Sequence, residues 1–341
     1  MASSYFAWSV AVALLILAAK SWFSVSALRS FIFRKENPSF VALTKLEQVR
    51  EVIRDLKSRL EVGLSLPENW GSAVQSLPTP WGGVLFECVD QLRKRGASII
   101  PVFDRFKGLI ELSHQTLAEA HALAAPARAQ IWICFLLVPI TGAGLYALLD
   151  VISADSALWF CVVLFSMSWS VLGAYFLSRE IDLIFSVGLN ASQKDWPIWL
   201  MAGAEKLMSQ IKAGEPADRG WNQTLETLAQ HSSLLADFWG PFRFETRHSY
   251  ETDEFKSLPF WVSDFREQLL ISIRASLFDG RPCLDRIGAS IQAFQINWSS
   301  ELKKGLSTLP TRAIKPLFLF VLPSVLSLLV VAMALVMKES T

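Results

Sequence analysis

Two short patterns in this chain pair a carboxylate with an imidazole three residues on. Glu111-Leu-Ser-His114 and Glu245-Thr-Arg-His248 both read Glu-x-x-His. That spacing puts a carboxylate and an imidazole on one helix face, as di-metal helix bundles use them. His121 lies two turns beyond His114. Such a site needs two of these motifs plus further carboxylates facing one core. Here the second motif falls in a different cytoplasmic segment, with no long apolar stripe around it. His114, His121, His231 and His248 are therefore read as ordinary surface histidines, and neither a metal nor a cofactor is expected. Gly142-Ala143-Gly144 lies inside an apolar run and lacks the strand-turn-helix setting of a dinucleotide loop, so close helix packing is the better reading. The chain contains no Gly-x-x-x-x-Gly-Lys-Ser/Thr. It is read as no enzyme, and any energy it uses has to come from a partner ATPase.

The remaining reactive and charged groups point away from other chemistries. Cys88, Cys134, Cys161 and Cys283 have no zinc or redox spacing, and two of them lie in apolar runs, so no disulfide framework is expected. Arg93-Lys94-Arg95 is a short basic run without the interleaved aromatics that nucleic acid would want. A solvated helix end, or contact with lipid headgroups or an acidic partner face, fits it better. Across 341 residues the net charge is only +1, so nothing global favours nucleic acid or an acidic substrate.

The elements that position these residues are dominated by apolar runs. A bilayer is crossed by about 20 mostly apolar residues as helix. Residues 1–28 supply one such stretch, interrupted only by Lys20, and 129–149, 157–178 and 316–337 supply three uncharged runs of 21, 22 and 22 residues. The first is no ordinary cleavable signal, because its positive charges (Arg29, Arg34, Lys35) follow it. Arg128, Arg179, Arg312 and Lys315 flank the other spans on that same side, whereas the loop 150–156 carries two acids and no base. The excess of cations marks the cytoplasmic side. Both termini then lie outside, and 29–128 and 179–315 are cytoplasmic. No charge lies within the later spans, which disfavours an ion-coupled transporter. Pro139, Pro316 and Pro323 can kink their spans, for packing or to shape a groove.

The chain also repeats itself. At a constant offset of 184 residues, Pro126, Arg128, Ala129 and Pro139 fall on Pro310, Arg312, Ala313 and Pro323, and Gly96 and Ile100 fall on Gly280 and Leu284. A period this long means a duplicated domain rather than a solenoid. Within the first copy, helical periodicity runs from Pro38 to Val62 and stops at Gly63, and Trp70 follows seven residues later. Leu77 to Gly83 is a turn, Val84 to Arg95 a helix ended by Gly96, and Pro101 to Ala124 a helix leading into a span. In the second copy Trp196 to Ala213 stops at Gly214, Trp221 follows at the same distance, and Leu258-Pro259-Phe260-Trp261 echoes the Leu77 to Trp81 turn. The two glycines are 33 residues apart in the first copy and 66 in the second, so an insertion lies near 224–257. It is the expected place for a feature particular to this protein, the alternative being a solvated surface excursion.

The fold expected is an all-α membrane protein with four transmembrane helices and two duplicated cytoplasmic helical-bundle domains. Residues 1–28 form the first span, 29–128 the first helical domain, 129–178 a transmembrane hairpin, 179–315 the second domain, and 316–341 the last span and tail. Gly63, Gly96, Gly214 and Gly280, with Pro126 and Pro310, are read as the structural corners.

Gly63-Leu-Ser-Leu-Pro-Glu-Asn-Trp70, the Gly96 turn and the stretch from Leu309 to Pro323 resemble the type II secretion system F domain. This is the inner-membrane platform module of type II secretion, type IV pili and Tad pili, and the added N-terminal span makes the chain most similar to Tad-type subunits. The chain departs from the family pattern in lacking a Gly-Glu-x-Ser-Gly turn, and it has Gly-Glu-Pro-Ala where a Gly-x-Ser-Leu would follow Ile211 to Ala213. The resemblance implies a bacterial inner-membrane platform that couples a cytoplasmic assembly ATPase to pilin or pseudopilin insertion or extraction. It also implies association with itself or a paralogous subunit. Arg93, Lys94, Arg95 and Arg281 are the expected ATPase-facing residues, since they sit at equivalent corners of the two copies. The competing reading is a membrane-anchored signalling or scaffold protein with helical cytoplasmic domains.

Overall fold

The structure is a computed structural model that describes residues 38–149, 156–243, 255 and 257–339. The first expected span lies outside the described residues. Those described form helices and turns, with no strand among them. In chain order the helices are α1 (Pro38–Glu61), α2 (Trp70–Gln75), α3 (Trp81–Lys94), α4 (Ile100–Leu148), α5 (Ser156–Phe185), α6 (Trp196–Lys212), α7 (Ala217–His231), α8 (Ser233–Trp239), α9 (Phe260–Asp279), α10 (Leu284–Pro316) and α11 (Leu322–Glu339). A 3-10 turn (Ala191–Gln193) precedes α6, and a π-helical turn (Leu317–Val321) joins α10 to α11. Three stretches, Ile100–Leu148, Ala157–Phe185 and Leu284–Lys338, are helices long and apolar enough to cross a membrane.

The chain divides into two compact units. One contains Ser39–Ala120 and Ser186–Lys303, so it draws on chain from both sides of the apolar hairpin. Its helices end where the glycines are. Gly63, Gly96 and Gly214 have φ of +83°, +67° and +85°. At each, the amide one residue on reaches back five positions: Leu64 to Arg59 O (2.9 Å), Ala97 to Leu92 O (2.9 Å) and Glu215 to Gln210 O (3.0 Å). The pattern satisfies the last carbonyls of a helix through a left-handed residue, and glycine takes that conformation without a Cβ clash. Gly280 (φ +65°) ends α9 in the left-handed region as well. Pro126 and Pro310, by contrast, lie inside α4 and α10 rather than at corners. A proline there removes one helical hydrogen bond without ending the helix.

Apolar residues at helical spacing build the core of this unit. Leu46, Val49, Ile53 and Leu56 of α1 are buried, as are Val84, Leu85, Cys88, Val89 and Leu92 of α3. Helix α6 is buried on all sides from Leu200 to Gln210. The first part of the expected insertion is core rather than a surface excursion. Trp221 of α7 stacks on Trp239 of α8 (4.3 Å between ring centroids), and its Nε1–H donates to Gly240 O at 2.8 Å. Residues 244–254 lie outside the described residues.

The other unit holds His121–Phe185 and Lys304–Thr341. Trp159, Val138, Leu328 and Ala332 pack at its centre, while Ile140, Phe165, Phe318 and Met333 are each more than 60% exposed. Large side chains facing outward along whole helices suit a lipid surround and would be unfavourable against water. Small and polar residues set the contacts between these helices. The Ser170 hydroxyl donates to Cys134 O, and Ser166 and Ser327 hydroxyls meet at 2.9 Å. Leu319 O is four residues before Pro323, which has no N–H to offer it, and Trp169 Nε1–H reaches that carbonyl at 3.4 Å. A Cβ on Gly173 would lie 2.8 Å from Phe320 Cβ. Gly173→Leu is accordingly expected to lower stability by about 1–3 kcal/mol through overpacking. Thermal unfolding in detergent checks this, with Gly144→Leu, where a Cβ meets nothing within 4 Å, as the mild comparison.

Candidate functional site

The chemically distinctive part of the molecule is a seam of ion pairs and hydrogen bonds along α6 and α3 to α4. It is where the two chain segments of the polar unit meet. Glu205 projects from the middle of α6, where its side chain is only 3% exposed. Arg105, near the start of α4, donates from Nε to Glu205 Oε2 at 2.9 Å. Burial pushes the Glu205 carboxyl above its ordinary range, and the Arg105 guanidinium pulls it back. Next along α6, Lys206 pairs with Glu87 of α3 and with the Thr227 hydroxyl of α7. Lys212, at the end of α6, is held below the usual lysine value, chiefly by burial and then by Arg105.

Further contacts extend the seam. Gln295 of α10 donates to Leu109 O (3.1 Å) and Ser113 Oγ (3.3 Å) of α4. Lys303 pairs with Glu119 at 2.6 Å, and that hydrogen bond lowers the Glu119 carboxyl pKa. Cys88 lies beneath α6, its thiol pushed up to about 12 by burial with the Ser209 hydroxyl opposing. A thiol so buried stays protonated at neutral pH and behaves as a core residue. These groups pair off against each other, so what the arrangement does is lock two distant chain segments into one body.

The expected ATPase-facing residues separate into two groups. Arg95 is turned inward onto the second segment, where its Nη1 donates to Ala213 O at 2.6 Å and its Nη2 pairs with Glu215. The guanidinium lies 3.9 Å from where a Gly214 Cβ would be, so it caps that corner. Arg93 and Lys94 are exposed, and Lys94 pairs with Asp90 of its own helix at 2.7 Å. Arg281 is exposed beside Gly280, 3.7 Å from Asp279. Of the Glu-x-x-His motifs, Glu111 sits 3.9 Å from Lys107, and Glu245 and His248 lie outside the described residues. Among the described residues no group of three or more His, Cys, Asp or Glu is placed to hold a metal ion. His121 Nδ1 is 2.7 Å from Arg128 Nη1.

The seam has no local signature in the sequence, because its partners are about 100 to 190 residues apart and no short pattern pairs them. The one available signal was a run of polar residues, Glu205, Lys206, Ser209 and Gln210, in a helix otherwise fit for a core. Arg95→Ala is expected to cost about 1 kcal/mol, since it leaves Ala213 O and Glu215 without their donor. Arg93→Ala should change stability by less than about 0.5 kcal/mol. Denaturant unfolding of the two variants side by side measures the difference.

A scan against protein-family models, a search of curated proteins and a search of solved structures each found no match to this chain.

Proposed function

We propose that this chain is a non-enzymatic inner-membrane platform subunit of a Tad or type IV pilus, or of a type II secretion-like machine. In that role it couples a cytoplasmic assembly ATPase to the insertion or extraction of pilin-like subunits. The observation that carries the reading is the recurrence of one structural order in both halves. A helix ends at a left-handed glycine (Gly63, Gly214), and a buried tryptophan (Trp70, Trp221) follows at the same distance. A Leu-Pro turn then opens a helix that ends near a second left-handed glycine (Gly96, Gly280). Finally a long helix begins at Ile100 or Leu284, again 184 residues apart, and continues as a stretch apolar enough to cross a membrane. This order supports a duplicated module and matches the platform layout that the sequence resembles.

The topology proposed has four spans, with 1–28 as the first, both termini outside and the polar helical unit in the cytoplasm. Arg128, Arg179, Arg312 and Lys315 support it, by following or preceding the apolar runs on one side. A platform that transmits an ATPase's motion has to move as one piece, and the Arg105–Glu205 and Lys206–Glu87 pairs supply that joint. Arg93, Lys94 and Arg281 are the exposed cations left for a partner, whereas Arg95 serves the fold.

The test is a detergent pull-down of tagged protein from its native membrane with mass spectrometry of the co-purifying chains. The expected companion is a hexameric secretion-type ATPase, lost on Arg93→Glu/Lys94→Glu with Arg95 left intact. Recovery of signalling proteins alone, or of nothing beyond the chain itself after crosslinking, contradicts the platform reading.

A further inference from the structure

Helices α5 and α10–α11 run antiparallel. Ile184 packs against the Gly305 position, Glu180 lies 3.9 Å from Arg312, a Cβ on Gly173 would face Pro316 O and Phe320, and Trp169 meets Phe320. The register brings Arg179, next to Glu180, level with Arg312 and with Lys315 one turn along α10. Arg179, Arg312 and Lys315 thus lie within one turn of each other along the helix pair, Glu180 is in ion-pair range of Arg312, and the next acid along α5, Asp182, acts on Arg128. Arg179 and Lys315 are exposed, and neither has an ion pair or side-chain hydrogen bond among the described residues. Arg312 touches its carboxylate partner only at 3.9 Å.

The apolar side of this cluster is as specific as its charge. One turn deeper, Phe176 and Phe320 stack with ring centroids 5.2 Å apart, and Trp169 packs on Phe320 at 5.5 Å. Leu319, next to Phe320 and one turn beyond Lys315, is about two-thirds exposed. Three under-neutralised cations over an open aromatic wall match an amphipathic anion: a phosphate-bearing headgroup above, acyl chains below. A free phosphate would use the cations and leave the wall uncovered. Basic recesses between transmembrane helices on the cytoplasmic side bind anionic headgroups through this combination.

We propose that Arg179, Arg312 and Lys315 form a binding site for one anionic phospholipid, whose acyl chains lie along the Phe176–Phe320 wall. The inference rests on the membrane-spanning reading of α5 and α11, and not on the pilus assignment. The test is native mass spectrometry of the full chain, purified in detergent and offered phosphatidylglycerol and phosphatidylcholine in equal amounts. Retained phosphatidylglycerol should exceed phosphatidylcholine. The preference should fall about thirtyfold in Arg179→Gln/Lys315→Gln, at about fivefold for each charge near an anionic headgroup. It should survive both Arg179→Lys/Lys315→Arg, which keeps the charges in the same fold, and Arg93→Gln/Lys94→Gln, which removes two charges elsewhere. Equal retention of the two lipids, an equal loss in the Arg93/Lys94 variant, or displacement by millimolar inorganic phosphate would overturn it. Extraction of the chain from membranes by a carbonate wash would instead overturn the membrane reading underneath.

Discussion

A carboxylate that is 3% exposed, on a helix buried from Leu200 to Gln210, is the constraint around which the polar unit is built. Taking such a charge out of water costs several kcal/mol unless a fixed cation and good hydrogen bonds answer it. The cation that answers Glu205 is Arg105, which lies 100 residues away on the far side of the apolar hairpin. Folding α6 into the core therefore requires the first segment to be in place. The neighbouring Lys206–Glu87 pair makes the same demand in the opposite polarity. Two segments far apart in the chain are thereby held as one body.

The apolar unit obeys a different rule, because lipid offers the backbone no hydrogen bonds. A proline has no N–H to give a helical carbonyl, and a side chain can donate instead, as Trp169 Nε1–H does to Leu319 O, four residues before Pro323. Glycines at close approaches, such as Gly142 against Val163 and Gly173 against Phe320, let helices meet without the hydrophobic drive available in water. The cations gathered at Arg179, Arg312 and Lys315 mark where this apolar surface gives way to a polar one.

Features with a local cause were legible in the sequence, and features with a distant cause were not. Gly63, Gly96 and Gly214 show as helix ends because the left-handed cap is a property of a few consecutive residues. The long apolar helices show because length and composition suffice to find them. Pro126 and Pro310 misled, since a proline is a breaker only where the surrounding helix has little else to hold it, and α4 and α10 run on past them. Arg95 read as a surface cation within its own helix end, and only the fold reveals the Gly214 corner beneath it. The π-helical turn after Pro316 and the burial of Trp239 depend on what packs against them, which no local spacing encodes.

The buried Arg105–Glu205 pair joins the two segments of the polar unit into one body. A double-mutant cycle on Arg105→Met and Glu205→Met, followed by denaturant unfolding, tests it most directly. Removing Arg105 alone strands a buried carboxylate and should cost about 3–5 kcal/mol, while replacing both partners with apolar side chains should recover most of that loss. The double variant should be more stable than Arg105→Met alone. Losses that simply add would show that the two residues do not depend on each other, and would contradict it.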